Sequence, residues 1–160
     1  MPQNNPSPKV KKPPPTSLRA RALRLLARRE HSRRELERKL AVHAEDPAEV
    51  GRVLDEFEAQ GWLSERRVVE QVVHARRSRF GARRIEQELL DKGISADAVA
   101  AALPGLKDSE LAAARAVWAR KFGKLPRTPA ERASQARFLQ GRGFGFDIVL
   151  KVIKGGGDDD

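Results

Sequence analysis

Two segments 50 residues apart follow the same pattern: Lys92-Gly93 runs into the apolar Ile94, and Arg142-Gly143 into the apolar Phe144. Each closes one amphipathic stretch and opens the next, because glycine ends a helix readily in a left-handed turn and the apolar residue after it packs back. Ile85 lies 49 residues after Leu36, the matching position of an earlier apolar stripe. A period of this length, made of helix-sized pieces, is the mark of tandem units that bury their apolar faces together. The expected fold is all-α: three tandem three-helix repeats forming an elongated, curved array with helix-turn-helix-like units.

Caps and stripes place the pieces. Leu18, Ala22, Leu25 and Leu26 recur at the spacing of one helix face, to about Arg29. Ser32-Arg33-Arg34-Glu35 spells a capping box and starts a helix that turns Leu36 and Leu40 inward. Asp46-Pro47 starts a third, carrying Val50, Val53, Leu54 and Phe57 before Gly61. Trp62 and Leu63 are expected to fix the angle to the next unit, where Ser64 caps a helix with Val68, Val69, Val72 and Val73 that runs to about Arg79. Phe80-Gly81 opens the second helix of that unit, and Ser95 caps a short third one that Pro104-Gly105 closes. The last unit begins near Asp108, continues through a capping box at Thr128-Pro129-Ala130-Glu131, and ends in a helix from Phe144 to Ile153. The domain reading is a disordered proline-rich arm at 1–17, repeats at 18–63, 64–106 and 107–154, and a flexible acidic tail at 155–160.

Composition narrows the function classes. Lysine and arginine number 32 against 22 acidic residues, a formal charge of +10, which favours a polyanion or an acidic protein surface as partner. Cysteine is absent, which excludes disulfides and thiol chemistry. No apolar run approaches a membrane span, and a cytoplasmic protein with no membrane contact is expected. His31, His43 and His74 match no metal-ligand spacing, and surface roles are expected for His31 and His43. Gly141-Arg142-Gly143-Phe144-Gly145 follows no strand and lacks the later elements of a nucleotide site. Ser32, Ser64 and Ser95 are explained by capping, and Glu35, Glu37, Glu49 and Glu56 by helix starts and basic neighbours. Nothing calls for an enzyme, a cofactor or a metal.

The basic residues cluster instead. From Arg24 to Lys39 seven basic residues stand against three acidic ones, from Arg76 to Lys92 six against three, and from Arg115 to Arg142 eight against Glu131 alone. The third repeat is therefore expected to dominate binding. Arginine prevails in these patches, and its planar fork pairs bidentately with phosphate or carboxylate. The candidate basic face comprises Arg28, Arg33, Arg34, Arg38, Arg76, Arg77, Arg83, Arg84, Lys121, Lys124, Arg127, Arg132, Arg137 and Arg142. No pair of aromatics lies on a strand as a stacking platform, and no base-reading set of Asn, Gln and Arg is evident, so any DNA contact should be to the backbone and weakly sequence-dependent.

Residues Leu23 to Leu36 with Lys39-Leu40, then Gly61-Trp62-Leu63, Gly81 to Leu89, Lys92-Gly93-Ile94, Ala136 to Leu139 and Gly143-Phe144 together resemble the bacterial RecX family, regulators of the RecA recombinase. The resemblance spans about residues 20 to 153. It implies a non-enzymatic helical-repeat protein that binds the RecA nucleoprotein filament and restrains its extension, strand exchange, ATPase and coprotease activities, with a place in DNA recombination, repair and the SOS response. It implies RecA as partner, weaker non-specific contact with single- or double-stranded DNA, and a monomer. Val68 stands where the family commonly has phenylalanine. A helix-turn-helix-like DNA-binding regulator contacting the phosphate backbone is the alternative, and an adaptor for an acidic protein a third reading.

Overall fold

The computed structural model describes residues 16–155, and among these the secondary structure is eight α-helices. They are α1 (Leu18–Arg28), α2 (Arg33–Ala41), α3 (Pro47–Ala59), α4 (Glu65–Arg76), α5 (Ala82–Asp91), α6 (Ala96–Lys121), α7 (Pro129–Gly141) and α8 (Phe146–Lys154). The expected arm and most of the expected acidic tail lie outside the described residues. The helix starts follow the caps read from the sequence. The Ser32 hydroxyl accepts from Glu35 N at 3.1 Å while the Glu35 carboxylate accepts from Ser32 N at 3.3 Å, a complete capping box. At Thr128 the hydroxyl accepts from Glu131 N, but the Glu131 carboxylate reaches one residue further back, to Arg127 N at 2.7 Å.

The apolar stripes make three separate cores in an elongated array. Ala22, Leu36, Leu40, Leu54 and Phe57 close the first, Val68, Ile85, Leu89, Val99 and Leu106 the second, and Ala114, Leu139, Phe144, Val149 and Val152 the third. Leu36, Leu54, Phe57, Leu89, Leu139 and Val149 are fully shielded. Each such side chain contributes about 1.5–3 kcal/mol by leaving water.

One expected break is missing. Pro104-Gly105 does not end a helix: α6 runs unbroken through both residues for 26 residues, across the boundary expected near residue 106. Proline here removes one ladder bond and crowds the preceding turn. Burial on both sides outweighs that cost, because Val99 and Leu106 plug the second core while Ala114 and Val117 plug the third. One rod is therefore shared by two repeats.

The junction of repeats two and three is further locked at two glycines. Gly81 N donates to Arg142 O at 2.8 Å and Arg83 N to Gly143 O at 3.3 Å. A Cβ on Gly81 would lie 2.3 Å from Gly143 O, and one on Gly143, whose φ is +86°, would lie 2.4 Å from Arg84 Cβ. Beneath this contact sits Glu110 of α6, 8% exposed. Its Oε1 accepts from Gly145 N at 3.1 Å and Ala82 N at 3.4 Å. Helices α5 and α8 begin at glycines with no capping side chain of their own, so one carboxylate serves both starts.

Repeats one and two meet differently. Helix packing ties α1, α2 and α3 to one another and α4 through α8 to one another, with little across the divide. What crosses is polar: Arg67 Nε donates to Glu30 at 2.9 Å, Lys92 Nζ donates to Glu35 at 3.1 Å, and the Arg34 side chain fills the space over Gly93. Trp62 and Leu63, expected to fix the angle to the next unit, pack on the repeat-one side of the turn. Leu63 is buried in the first core, and Trp62 stacks edge-on against Phe57 at 5.3 Å with Arg19 over its ring at 5.4 Å, all inside repeat one.

Gly81→Ala should force the two glycine loops apart and cost about 1–3 kcal/mol in urea unfolding. Gly51→Ala, in a helix position where the added methyl meets nothing within 4 Å, should instead stabilise by about 0.5–1 kcal/mol. Equal effects of the two substitutions would show that the glycine contact is not a constraint.

Candidate binding groove

Phe80, in the turn between α4 and α5, has four guanidinium groups around its ring. The Arg84 Cζ lies 4.4 Å from the ring centroid, Arg142 5.3 Å, Arg76 5.9 Å and Arg79 6.0 Å. Each cation–π contact in a half-exposed setting is worth about 0.5–1 kcal/mol, enough to order the side chains without neutralising them. Only Arg76 finds a carboxylate there, pairing bidentately with Glu88 at 3.2 Å for both bonds. Arg84 also donates to Gly141 O at 3.3 Å.

From this ring a groove opens in two directions. Toward repeat one, a cavity of about 530 Å³ runs between α2 and α5, with Arg34 and Arg38 on one wall and Arg76, Arg84 and Lys92 on the other. Toward repeat three, a second cavity of about 360 Å³ is lined by Arg79, Arg120, Lys121 and Arg142 over Val117 and Phe138. Arg142 links the two, lying 5.2 Å from the Phe138 ring as well as beside Phe80, and Lys121 Nζ sits 5.5 Å from Phe138. Phe122 braces Phe138 edge-on at 5.4 Å. Basic side chains drawn from all three repeats thus follow one aromatic-floored path.

Six of the fourteen residues expected on the basic face line these two cavities: Arg34, Arg38, Arg76, Arg84, Lys121 and Arg142; Arg83 lines neither and is fixed at the glycine contact by its backbone hydrogen bond to Gly143. Arg28 lies in a different notch, between α1 and α2, and Arg77 beside an apolar cleft with Val69, Val73 and Ala98. Lys124, Arg127, Arg132 and Arg137 are exposed but line none of these cavities. Arg33 is an internal clamp, bonded to Glu37 at 3.1 Å, Asp55 at 2.8 Å and Glu58 at 3.1 Å. Burial acts to lower its pKa, and the bonds to Glu58, Asp55 and Glu37 outweigh it and raise it. The groove also uses Arg79, Lys92 and Arg120, which the charge count included but the candidate face left out, and Phe80 and Phe138, which a count of charge does not register. For Arg79, Phe80 and Phe138 the signal was the neighbouring of arginine and phenylalanine near Gly81 and Gly141.

The polar seam beside the groove has two perturbed groups. Burial acts to raise the Glu35 pKa, but bonds from Arg29 Nη2 at 2.8 Å, Ser32 N and Lys92 Nζ prevail and hold it at about 2. His31 is not on the surface as expected: it is 2% exposed, and burial lowers its pKa. Its Nδ1 contacts Arg29 O at 3.0 Å and its Nε2 lies 3.4 Å from Lys39 Nζ, so the neutral ring donates to the carbonyl and accepts from the lysine. No cluster of three or more His, Asp or Glu suited to a metal occurs among the described residues. No described helix is long and apolar enough to cross a membrane.

Three helical units in tandem, carrying a groove whose cations are fixed on aromatic rings, define a protein of the tandem helical-repeat class. Three family models match in tandem: the first three-helix domain of RecX over residues 19–57, the second over 64–103 and the third over 108–153. The regulatory protein RecX of Leptothrix cholodnii is 54% identical over 88% of this chain and 90% of its own length, and that of Ralstonia nicotianae 50% identical over 88% and 89%. The crystal structure of RecX from Lactobacillus salivarius shares the fold with a TM-score of 0.73 at 16% identity, covering 86% of this chain and 93% of that one. The chain belongs to the RecX family of non-enzymatic regulatory proteins.

Glu35→Gln tests the seam. The folded carboxyl ionises near 2 and an unfolded one near 4.5, so unfolding takes up a proton between these values and stability falls as pH drops through them. The substitution should cost about 1–2 kcal/mol at pH 7, discounted for the half-exposed Arg29. The gap between wild type and variant in urea titrations should stay constant above about pH 5 and close toward pH 2. A gap independent of pH would remove Glu35 from the seam.

Proposed function

We propose that this protein regulates RecA by binding its nucleoprotein filament along the arginine–phenylalanine groove, restraining filament extension, strand exchange, ATP turnover and coprotease activity. Membership of the RecX family supports a regulatory role in DNA repair and recombination. The observation that carries the mode of binding is the ring of Arg76, Arg79, Arg84 and Arg142 around Phe80, continued to Lys121 over Phe138. Such a path has more positive charge than its own carboxylates satisfy, and its cations are preorganised, so little side-chain entropy is lost on pairing with an extended acidic partner. Because the path draws on all three repeats, a partner lying along it touches each in turn. The protein acts as a monomer, and contact with free DNA is weaker and confined to the backbone.

The experiment compares binding to random duplex, random single strand and RecA-coated single strand across a salt series, with ATP turnover followed in parallel. Tightest binding to the coated strand with slowed turnover is the expected result. Equal binding to naked DNA with no effect on the filament would overturn the reading in favour of a DNA-binding regulator. Among variants, Arg84→Gln with Arg142→Gln should weaken filament binding at least about tenfold, a loss of about 1.4 kcal/mol. Arg127→Gln, Arg132→Gln and Arg137→Gln together should weaken it less, although they remove more charge. The reverse order would place the contact on the outer face of repeat three.

A further inference from the structure

Away from the groove, α1 and α2 enclose a notch of about 300 Å³ whose polar lining is entirely basic: Arg21, Arg24, Arg28, Lys39 and His43, over a floor of Leu25 and Leu40. Among the described residues no carboxylate pairs with Arg21, Arg24, Arg28 or Lys39, whereas Arg19, Arg29 and Arg33 of the same repeat are each ion-paired. The Nε of Arg21 is buried and has no hydrogen-bond acceptor, and it is the one such side-chain atom among the described residues. A buried donor left unmet costs about 1–3 kcal/mol, and more when charged, so the wall of the notch at Arg21 carries positive charge that nothing within the repeat offsets. Lys39 is steered into place by the buried neutral ring of His31, whose Nε2 accepts from its ammonium.

From this we infer that the α1–α2 notch of the first repeat seats a backbone phosphate of nucleic acid. The basic side chains come from α1, α2 and the turn after α2 and line one small volume, so several oxygens of a phosphate can each meet a cationic donor. The volume of about 300 Å³ holds a phosphate and its adjoining sugar atoms. The lining has no Asn, Gln, Asp or Glu to pair with adenine or cytosine, and its cations are used on phosphate, so the seat fixes position rather than sequence. The notch flanks α2 on the side of Lys39 and His43, while Arg34 and Arg38 of the same helix face the groove. A strand held here is therefore anchored beside the groove rather than in it. This inference concerns naked nucleic acid and does not rest on the RecA reading.

The test uses the full chain and a random-sequence single strand of 20 nucleotides, with binding followed by anisotropy from low to moderate salt. Each phosphate contact contributes about 0.7 to the slope of log K against log salt for a single strand. Arg24→Gln with Arg28→Gln, both at exposed positions, should empty the one phosphate seat and lower the slope by about 0.7, with the melting temperature checked to be unchanged. In the ¹⁵N-labelled protein the Arg21 Nε–Hε resonance should shift on adding the strand and, at higher concentration, inorganic phosphate. An unchanged slope together with an unmoved Arg21 resonance would overturn the inference, as would a shift of that resonance produced equally by polyglutamate at matched charge. Loss of filament binding on altering Arg84 and Arg142 would leave this result untouched, so the two readings fail separately.

Discussion

A single buried carboxylate fixes the geometry on which the groove depends. Glu110 accepts from the starts of α5 and α8, which belong to different repeats and begin at glycines with no side-chain cap. A carboxylate shared by two helix starts satisfies N–H groups that have no partner within their own helices and complements both helix dipoles. Arg84 is carried by α5, and Arg142 by the loop leading into α8; both reach the Phe80 ring. The close approach of Gly81 to Gly143 leaves room for no other residue at the first position and sets the separation of those two side chains.

Much of this architecture was legible in the sequence because it depends on local chemistry. Caps at Ser32, Asp46, Ser64, Ser95 and Thr128, and stripes such as Val50, Leu54 and Phe57, are decided within a few residues and emerged where expected. What escaped was decided at a distance. Proline and glycine at 104 and 105 carry a local signal to stop, overridden by two cores that lie on either side of the same rod. His31 carries no apolar signature, yet it is enclosed because its two nitrogens find Arg29 O and Lys39. For the site, counting charge along the chain located the basic stretches but not their roles. Arg33 and Arg142 look alike in the sequence, but the first is spent on three carboxylates and the second lies free across two aromatic rings.

The same distinction explains how a strongly basic chain folds without repelling itself. Carboxylates are concentrated where arginines hold the structure together, as at Glu30, Glu35, Glu37, Asp55 and Glu58. Where cations are left for a partner, aromatic faces take over part of that task, since a ring attracts a guanidinium without cancelling its charge. Phenylalanine at 80 and 138 thus keeps cations close together and still attractive to an anion.

The two junctions also differ in stiffness. Repeats two and three share a helix, a buried carboxylate and a glycine contact, and they bend only as one beam. Repeat one is fastened by a short linker and by ion pairs that are partly open to water, each worth about a kilocalorie or less. Thermal energy and dissolved salt both act on bonds of that strength, so the first repeat can swing through small angles while every core stays intact. A protein built this way has a compliant end and a rigid end. The give lies in the polar seam of Arg67, Glu30, Lys92 and Glu35, since Trp62 and Leu63 are packed within repeat one.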